Sequence, residues 1–240
     1  MLSRTTARRP ADAPARPAPR RRGRALVAAC AAGALLLALP VTDMLARGLA
    51  EDRLAERIAG RQPGLAGPPE VSIAGTPFLL QASRDVFPEV RVRADATAGG
   101  ARIKADVTLD HVVRTGDSYR ADSATARFTA PYATLGDGPE GSTTVSDAGD
   151  GRLLIRRTVL GAPLVLTADV ELRDGVVSLR PASASVAGRP VDPANPLIAQ
   201  ALARQTRTLP ELPLGLRASG ISVGADGVTV SARAEDVVPA

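Results

Sequence analysis

Apolar and polar residues alternate with a period of two through most of the chain beyond residue 69. Val90, Val92, Ala94 and Ala96 stand between charged or polar neighbours, as do Ile103, Ala105, Val107 and Leu109, and then Ala124, Ala126, Phe128 and Ala130. Leu164, Leu166, Ala168, Val170 and Leu172 form the cleanest run, and Val228, Val230, Ala232 and Ala234 the last. Such alternation predicts antiparallel strands with one face covered and one wet. Asp174-Gly175 and Asp226-Gly227 fall between apolar runs, where hairpin turns are expected. Residues 136–151, rich in Gly, Asp, Ser and Pro, read as an exposed loop.

Two segments change the period. Residues 43–61 lack proline and are rich in helix formers, with Asp43 placed as an N-cap and Gly60 near a C-cap. Leu45 and Leu49 share one side of this helix while Leu54 falls nearly opposite, a pattern expected of a helix buried on more than one side. Residues 62–69 break it. Asn195 as N-cap, Pro196 in the first turn and the stripe Leu197, Ile198, Ala201 and Leu202 predict a second amphipathic helix ending before Pro210. The outer part is therefore expected to be α+β: one long twisted antiparallel sheet with two helices, a single core and no internal repeat.

Ahead of this lies a different kind of sequence. Residues 1–24 are Pro, Ala and Arg without apolar periodicity and are expected to be disordered. Residues 25–42 form a run of 18 without a charge, at the lower limit for a helix crossing a bilayer. Around residues 39–44 no small-x-small cleavage site is found, which favours an uncleaved signal-anchor over a removed signal peptide. Val27-Ala28-Ala29-Cys30 is a poor lipobox, because Leu35, Leu36, Leu37 and Leu39 follow the cysteine; Cys30 reads as a small residue of the membrane helix. The domain division expected is a cytoplasmic tail 1–24, a transmembrane anchor 25–42 and an extracytoplasmic domain 43–238.

Charge settles one alternative. The net charge of +5 and the pI near 10.5 raise the possibility of nucleic-acid binding. Residues 1–24, however, hold eight arginines against the single acid Asp12, so the remainder of the chain is slightly acidic and carries no basic module. The tail is topogenic: it keeps the amino end inside and touches anionic lipid. With one cysteine and one histidine, His111, a single chain can form neither a disulfide nor a Cys/His zinc cluster.

Three motifs were weighed for chemistry. Gly220-Ile221-Ser222-Val223-Gly224 fits G-x-S-x-G, but a nucleophile elbow needs a strand-turn-helix setting and an acid and a histidine after the serine. His111 precedes Ser222 and lies in a strand pattern without an orienting partner. Asp147 and Asp150 could join a calcium site, yet no repeated D-x-D accompanies them. Neither a catalytic residue nor a metal site nor a cofactor is expected.

Three stretches resemble the LmeA family of actinobacterial phospholipid-binding envelope proteins. They are the basic tail and apolar anchor followed by Ala50-Glu51-Asp52-Arg53-Leu54-Ala55; the segment Pro69-Glu70-Val71-Ser72-Ile73-Ala74-Gly75-Thr76-Pro77-Phe78-Leu79; and Leu209-Pro210-Glu211-Leu212-Pro213-Leu214-Gly215-Leu216 with Ile221, Val223 and Asp226-Gly227-Val228. The resemblance implies a tubular lipid-binding-like fold, a curved sheet around a helix with an apolar groove for acyl chains. Sheet faces lined by Ala and Val are compatible with such curvature.

The expected function is thus a membrane-anchored, non-catalytic extracytoplasmic protein that holds a phospholipid with an anionic head group and supports envelope lipid or lipoglycan metabolism. Acyl-chain burial contributes about 0.8 kcal/mol per CH₂, enough to hold such a ligand. Candidate contacts are Phe78, Leu79, Leu80, Tyr132, Leu135, Leu209, Leu212 and Leu214, all at element ends beside Pro or Gly. The alternative is a non-catalytic envelope scaffold that binds a protein partner through a sheet edge.

Overall fold

The computed structural model describes residues 21–62, 64–98, 100–116, 118–136, 143–159, 161–195, 198, 202 and 207–238, with backbone only at 21–38, 98, 101 and 159. Residues 1–42 and 43–240 form separate compact units. Of residues 1–24, expected to be disordered, 1–20 lie outside the described residues, as does the side chain of Cys30, while 21–24 are helical, against that expectation. Helix α1 runs Arg21–Arg61, so the uncharged run is helical. Among the described residues no helix is long and apolar enough to cross a membrane. Most of the expected anchor has no described side chains.

Residues 43–240 hold two sheets rather than the single long one expected. The first has the order β1-β2-β3-β4-β12-β11, built from Glu70–Ile73, Val86–Ala98, Ala101–Thr115, Ser118–Ala130, Gly227–Val237 and Arg217–Gly224, all antiparallel. The second has the order β10-β8-β7-β6-β5, from Arg207–Thr208, Val176–Val186, Ala162–Arg173, Arg152–Val159 and Thr143–Gly149, with β9 (Arg189–Val191) also on β8. The split follows from one long-range pairing. The last strand, β12, occupies the edge of β4, so the chain that leaves β4 must start a new sheet. Each sheet has its own apolar cluster, so a second core exists where one was expected. The sheets meet where β11 lies against β7 and β5.

The segment read as a loop contains β5. Thr143–Gly149 pairs with β6 across an Asp150-Gly151 turn, both residues at positive φ (54° and 73°), the conformation of a type I′ hairpin. Its only large apolar residue is Val145, too little for the alternation to register. Residues 137–142 of the same expected loop lie outside the described residues. Asp174-Gly175 joins β7 to β8 in the same way (φ 50° and 76°), as expected. At the last hairpin the turn is Ala225-Asp226 rather than Asp226-Gly227. Gly227 instead opens β12 at φ 136°, where a Cβ would run into the backbone of Ala130 and Pro131.

In the first sheet the alternation breaks on four adjacent strands at the same level. Inward residues there are three apart rather than two: Phe87 and Val90, Leu109 and Val112, Ala121 and Ala124, Ala234 and Val237. Between them the register places Pro88, His111, Asp122 and Asp236 in one row, with His111 and Asp236 in the left-handed region (φ 50° and 52°). A left-handed residue reverses the facing of the next side chain, so the row creases the sheet. His111 is thus an exposed hinge of a strand.

Inside the first sheet sits the second half of α1. Ala46, Ala50, Leu54, Ala55 and Ile58 pack on the cluster formed by Val71, Val90, Leu109, Val112, Ala124, Ala126 and Ala232. The small residues at 46, 50 and 55 let the helix approach sheet positions that are themselves alanines. The helix is not buried on two sides: Leu45 and Leu49 point outward and are 64% and 56% exposed. Of the second expected helix, Ile198 and Leu202 are helical and pack on the second cluster with Leu166 and Ala184, while Pro196, Leu197 and Ala201 lie outside the described residues.

Candidate lipid site

Three charged residues one turn apart on α1 fasten it to the segment before and within α2 (Phe78–Arg84). Asp43 Oδ2 and Oδ1 accept the backbone N–H groups of Phe78 (2.9 Å) and Leu79 (2.8 Å), Arg47 donates to the carbonyl of Gly75, and Glu51 Oε1 accepts the N–H of Ile73 (2.8 Å). Asp43 does cap a helix, but it is α2 and not its own, since α1 continues through it. The bonds from Leu79 and then Phe78, with a smaller contribution from Arg47, hold the Asp43 carboxyl below the usual aspartate value of 3.8. A carboxylate with a depressed folded pKa stabilises fully above its unfolded value and loses that contribution as pH falls through the folded one. Asp43→Ala should therefore lower the melting temperature at neutral pH, with the gap to wild type closing on acidification below the ordinary aspartate range. Thermal melts across pH check this, and a constant gap would contradict it.

The eight residues singled out from the sequence fall in three places. Phe78 is 5% exposed and stacks on Phe87 with ring centroids 6.1 Å apart, so it belongs to the first core; Leu212 and Leu214 pack on the same cluster. Leu79 and Leu80 are exposed on α2. Tyr132, Leu135 and Leu209 border the second sheet. The first two lie on α3 (Tyr132–Leu135), which packs on β5, and Leu209 donates its N–H to Gly175 at the β7–β8 turn (2.9 Å). The Tyr132 hydroxyl donates to Gly224 O (2.5 Å), and burial, then the negative charge of Asp147, raises its pKa, so it remains a neutral donor.

A larger apolar surface escaped the sequence reading. On the inner face of the second sheet, Leu153, Leu166, Ala168 and Ala184 are buried, but Val145, Ile155, Leu164, Val170, Leu172, Val177, Leu179 and Val191 remain half-buried. Among the described residues, twelve form the buried cluster of the first sheet, against which α1 packs, and three that of the second. A sheet face this apolar and this incompletely covered is suited to an aliphatic ligand. The run 164–172 carried the signal as the cleanest alternation in the chain. Alternation marks an inward face without saying what fills the space in front of it.

Other surfaces fit lipid chains poorly. The outer face of the first sheet bears Arg91 and Arg93 paired to Asp106 (3.8 and 3.5 Å) and an open cleft of about 440 Å³. Glu70, Asp95 and Asp106 balance Arg93, Lys104 and Arg127 there. Ser222 lies within β11, exposed and opposite Thr229, so G-x-S-x-G is plain strand. His111 is on β3, three strands from β11, and the register puts Lys104 rather than His111 at the level of Ser222, so the two are separated both across and along the sheet. Asp147 Oδ1 accepts the N–H of Gly149 (2.8 Å), and no metal-holding group occurs among the described residues.

No curated protein and no solved structure matches the chain. A family model described as LmeA-like phospholipid-binding matches residues 41–233, which covers both sheets, α2 and the segment of α1 that fills the first sheet. With that match spanning most of its length, the chain belongs to the LmeA-like phospholipid-binding family.

Proposed function

We propose that this protein is a membrane-anchored extracytoplasmic phospholipid carrier that holds acyl chains against the inner face of the second sheet, without covalent chemistry, and serves envelope lipid or lipoglycan metabolism. The observation that carries the reading is the half-buried row Leu164, Val170, Leu172, Val177 and Leu179, an apolar face within a family of phospholipid-binding proteins. The head group in this reading is anionic, as the sequence leads one to expect. The uncharged run 25–42 supplies the anchor, and the eight arginines before it keep the amino end in the cytoplasm, which leaves residues 43–238 outside.

A protease site inserted after Thr42 tests location and cargo together. Protease added outside intact spheroplasts should release the 43–240 unit, and the released protein should yield close to one phospholipid per chain on solvent extraction and mass spectrometry. Release only after lysis would overturn the topology. An empty released protein would overturn the binding site.

A further inference from the structure

We infer that α2, together with Met44, Leu45 and Leu49 of α1, forms a seat that lies in the surface of a lipid bilayer and fixes the lipid-binding domain against the membrane. The inference deepens the anchored reading above and rests on it. Five large apolar side chains are concerned, all exposed: Met44, Leu45 and Leu49 on α1, Leu79 and Leu80 on α2, with Met44 at 77% and Leu80 at 46%. Asp43 holds the first turn of α2 against α1, which sets the two short apolar surfaces beside one another.

Three observations select lipid as the occupant. Met44, Leu45 and Leu49 follow Thr42, the last residue of the uncharged run, by two, three and seven residues, so the chain can carry none of them far from that run's end. Every charged side chain of residues 43–51, namely Asp43, Arg47 and Glu51, is turned onto the segment 73–79. The outward side of α1 therefore stays uncharged until Asp52 and Arg53, which are exposed. Finally, within residues 45–50 α1 sorts its side chains against the rule for a water-facing helix, which Leu54 and Ile58 farther along obey: Ala46 and Ala50 face the sheet while Leu45 and Leu49 face out. Leucines outside and alanines inside is the order expected where the outer medium is apolar. Arg84 in the last turn of α2 ends the apolar zone with a cation, suited to the head-group level.

The chain contains no tryptophan, so single introduced tryptophans report depth cleanly. Full-length Leu80→Trp and Leu45→Trp would be reconstituted into phosphatidylcholine–phosphatidylglycerol vesicles, with and without bromine on the acyl chains. Thr125→Trp, exposed on the outer face of the first sheet, serves as reference. A side chain sunk into the head-group and acyl boundary should lose about half or more of its emission to brominated lipid, with Thr125→Trp unchanged. Water-exposed, unquenched emission at both positions would overturn the seat. So would blue-shifted but unquenched emission, which would mark a second copy or another protein as the cover. Carbonate extraction of the same vesicles separates the two readings. A retained chain without quenching overturns the seat and leaves the anchor standing; a stripped chain that is quenched before extraction overturns the anchor and supports the seat.

Discussion

Replacing Val170 by aspartate is expected to empty the protein of lipid while leaving it folded. Val170 pairs with Leu179 across β7 and β8 on the inner face and is half-buried, so a carboxylate there keeps access to water until an acyl chain covers it. With an acyl chain in place that access closes. Shutting even a neutral polar group against an apolar ligand costs roughly 1–3 kcal/mol, so the carboxylate should weaken lipid affinity by at least about 5- to 150-fold. Leu172→Asp should behave alike, and Arg180→Gln, exposed on the opposite face, should not. Lipid per chain after solvent extraction is the readout, with circular dichroism as the control for folding. Equal occupancy in all four proteins would remove the second sheet from the binding site.

The largest effect on stability is expected from Phe78→Ala. The ring is enclosed in the first core and stacked on Phe87, and α2 begins at this residue. Truncating a buried phenylalanine costs about 3–5 kcal/mol, from lost transfer energy and the cavity left behind. Denaturant unfolding should show that loss, and lipid occupancy under strongly native conditions should change little. A large fall in occupancy at near-normal stability would return Phe78 to the lipid site proposed from the sequence. The two substitutions thus separate core from ligand contact, a distinction that residue type alone could not make.

How far the sequence speaks can be read from particular elements. Period-two alternation located β2, β3, β4, β7 and β12 because each has one packed and one wet face. It missed β5, whose inward positions are mostly Thr and Asp, and the division into two sheets, which depends on β12 pairing with β4 across about a hundred residues. Asp43 was recognisable as a capping residue, but its partner lies 35 residues on, where nothing local marks it. The helix α2 itself escaped notice. Leu79 and Leu80 were singled out for their place beside Pro77, and they are exposed; whether they meet a bound lipid or a bilayer turns on how α2 is held, a tertiary matter. The face proposed for the ligand was visible as strand and invisible as site. Its half-buried state depends on tertiary packing, and no local pattern encodes that.

The account centres on acyl chains lying along β7 and β8, and photo-crosslinking tests this most directly. Full-length protein in vesicles containing a phospholipid with a photoreactive acyl chain would be irradiated, digested and mapped by mass spectrometry. The account predicts label on the inward residues of Ala162–Arg173 and Val176–Val186, in addition to any on residues 25–49 and α2. Label confined to residues 25–49 and α2, with none on the second sheet, would contradict it.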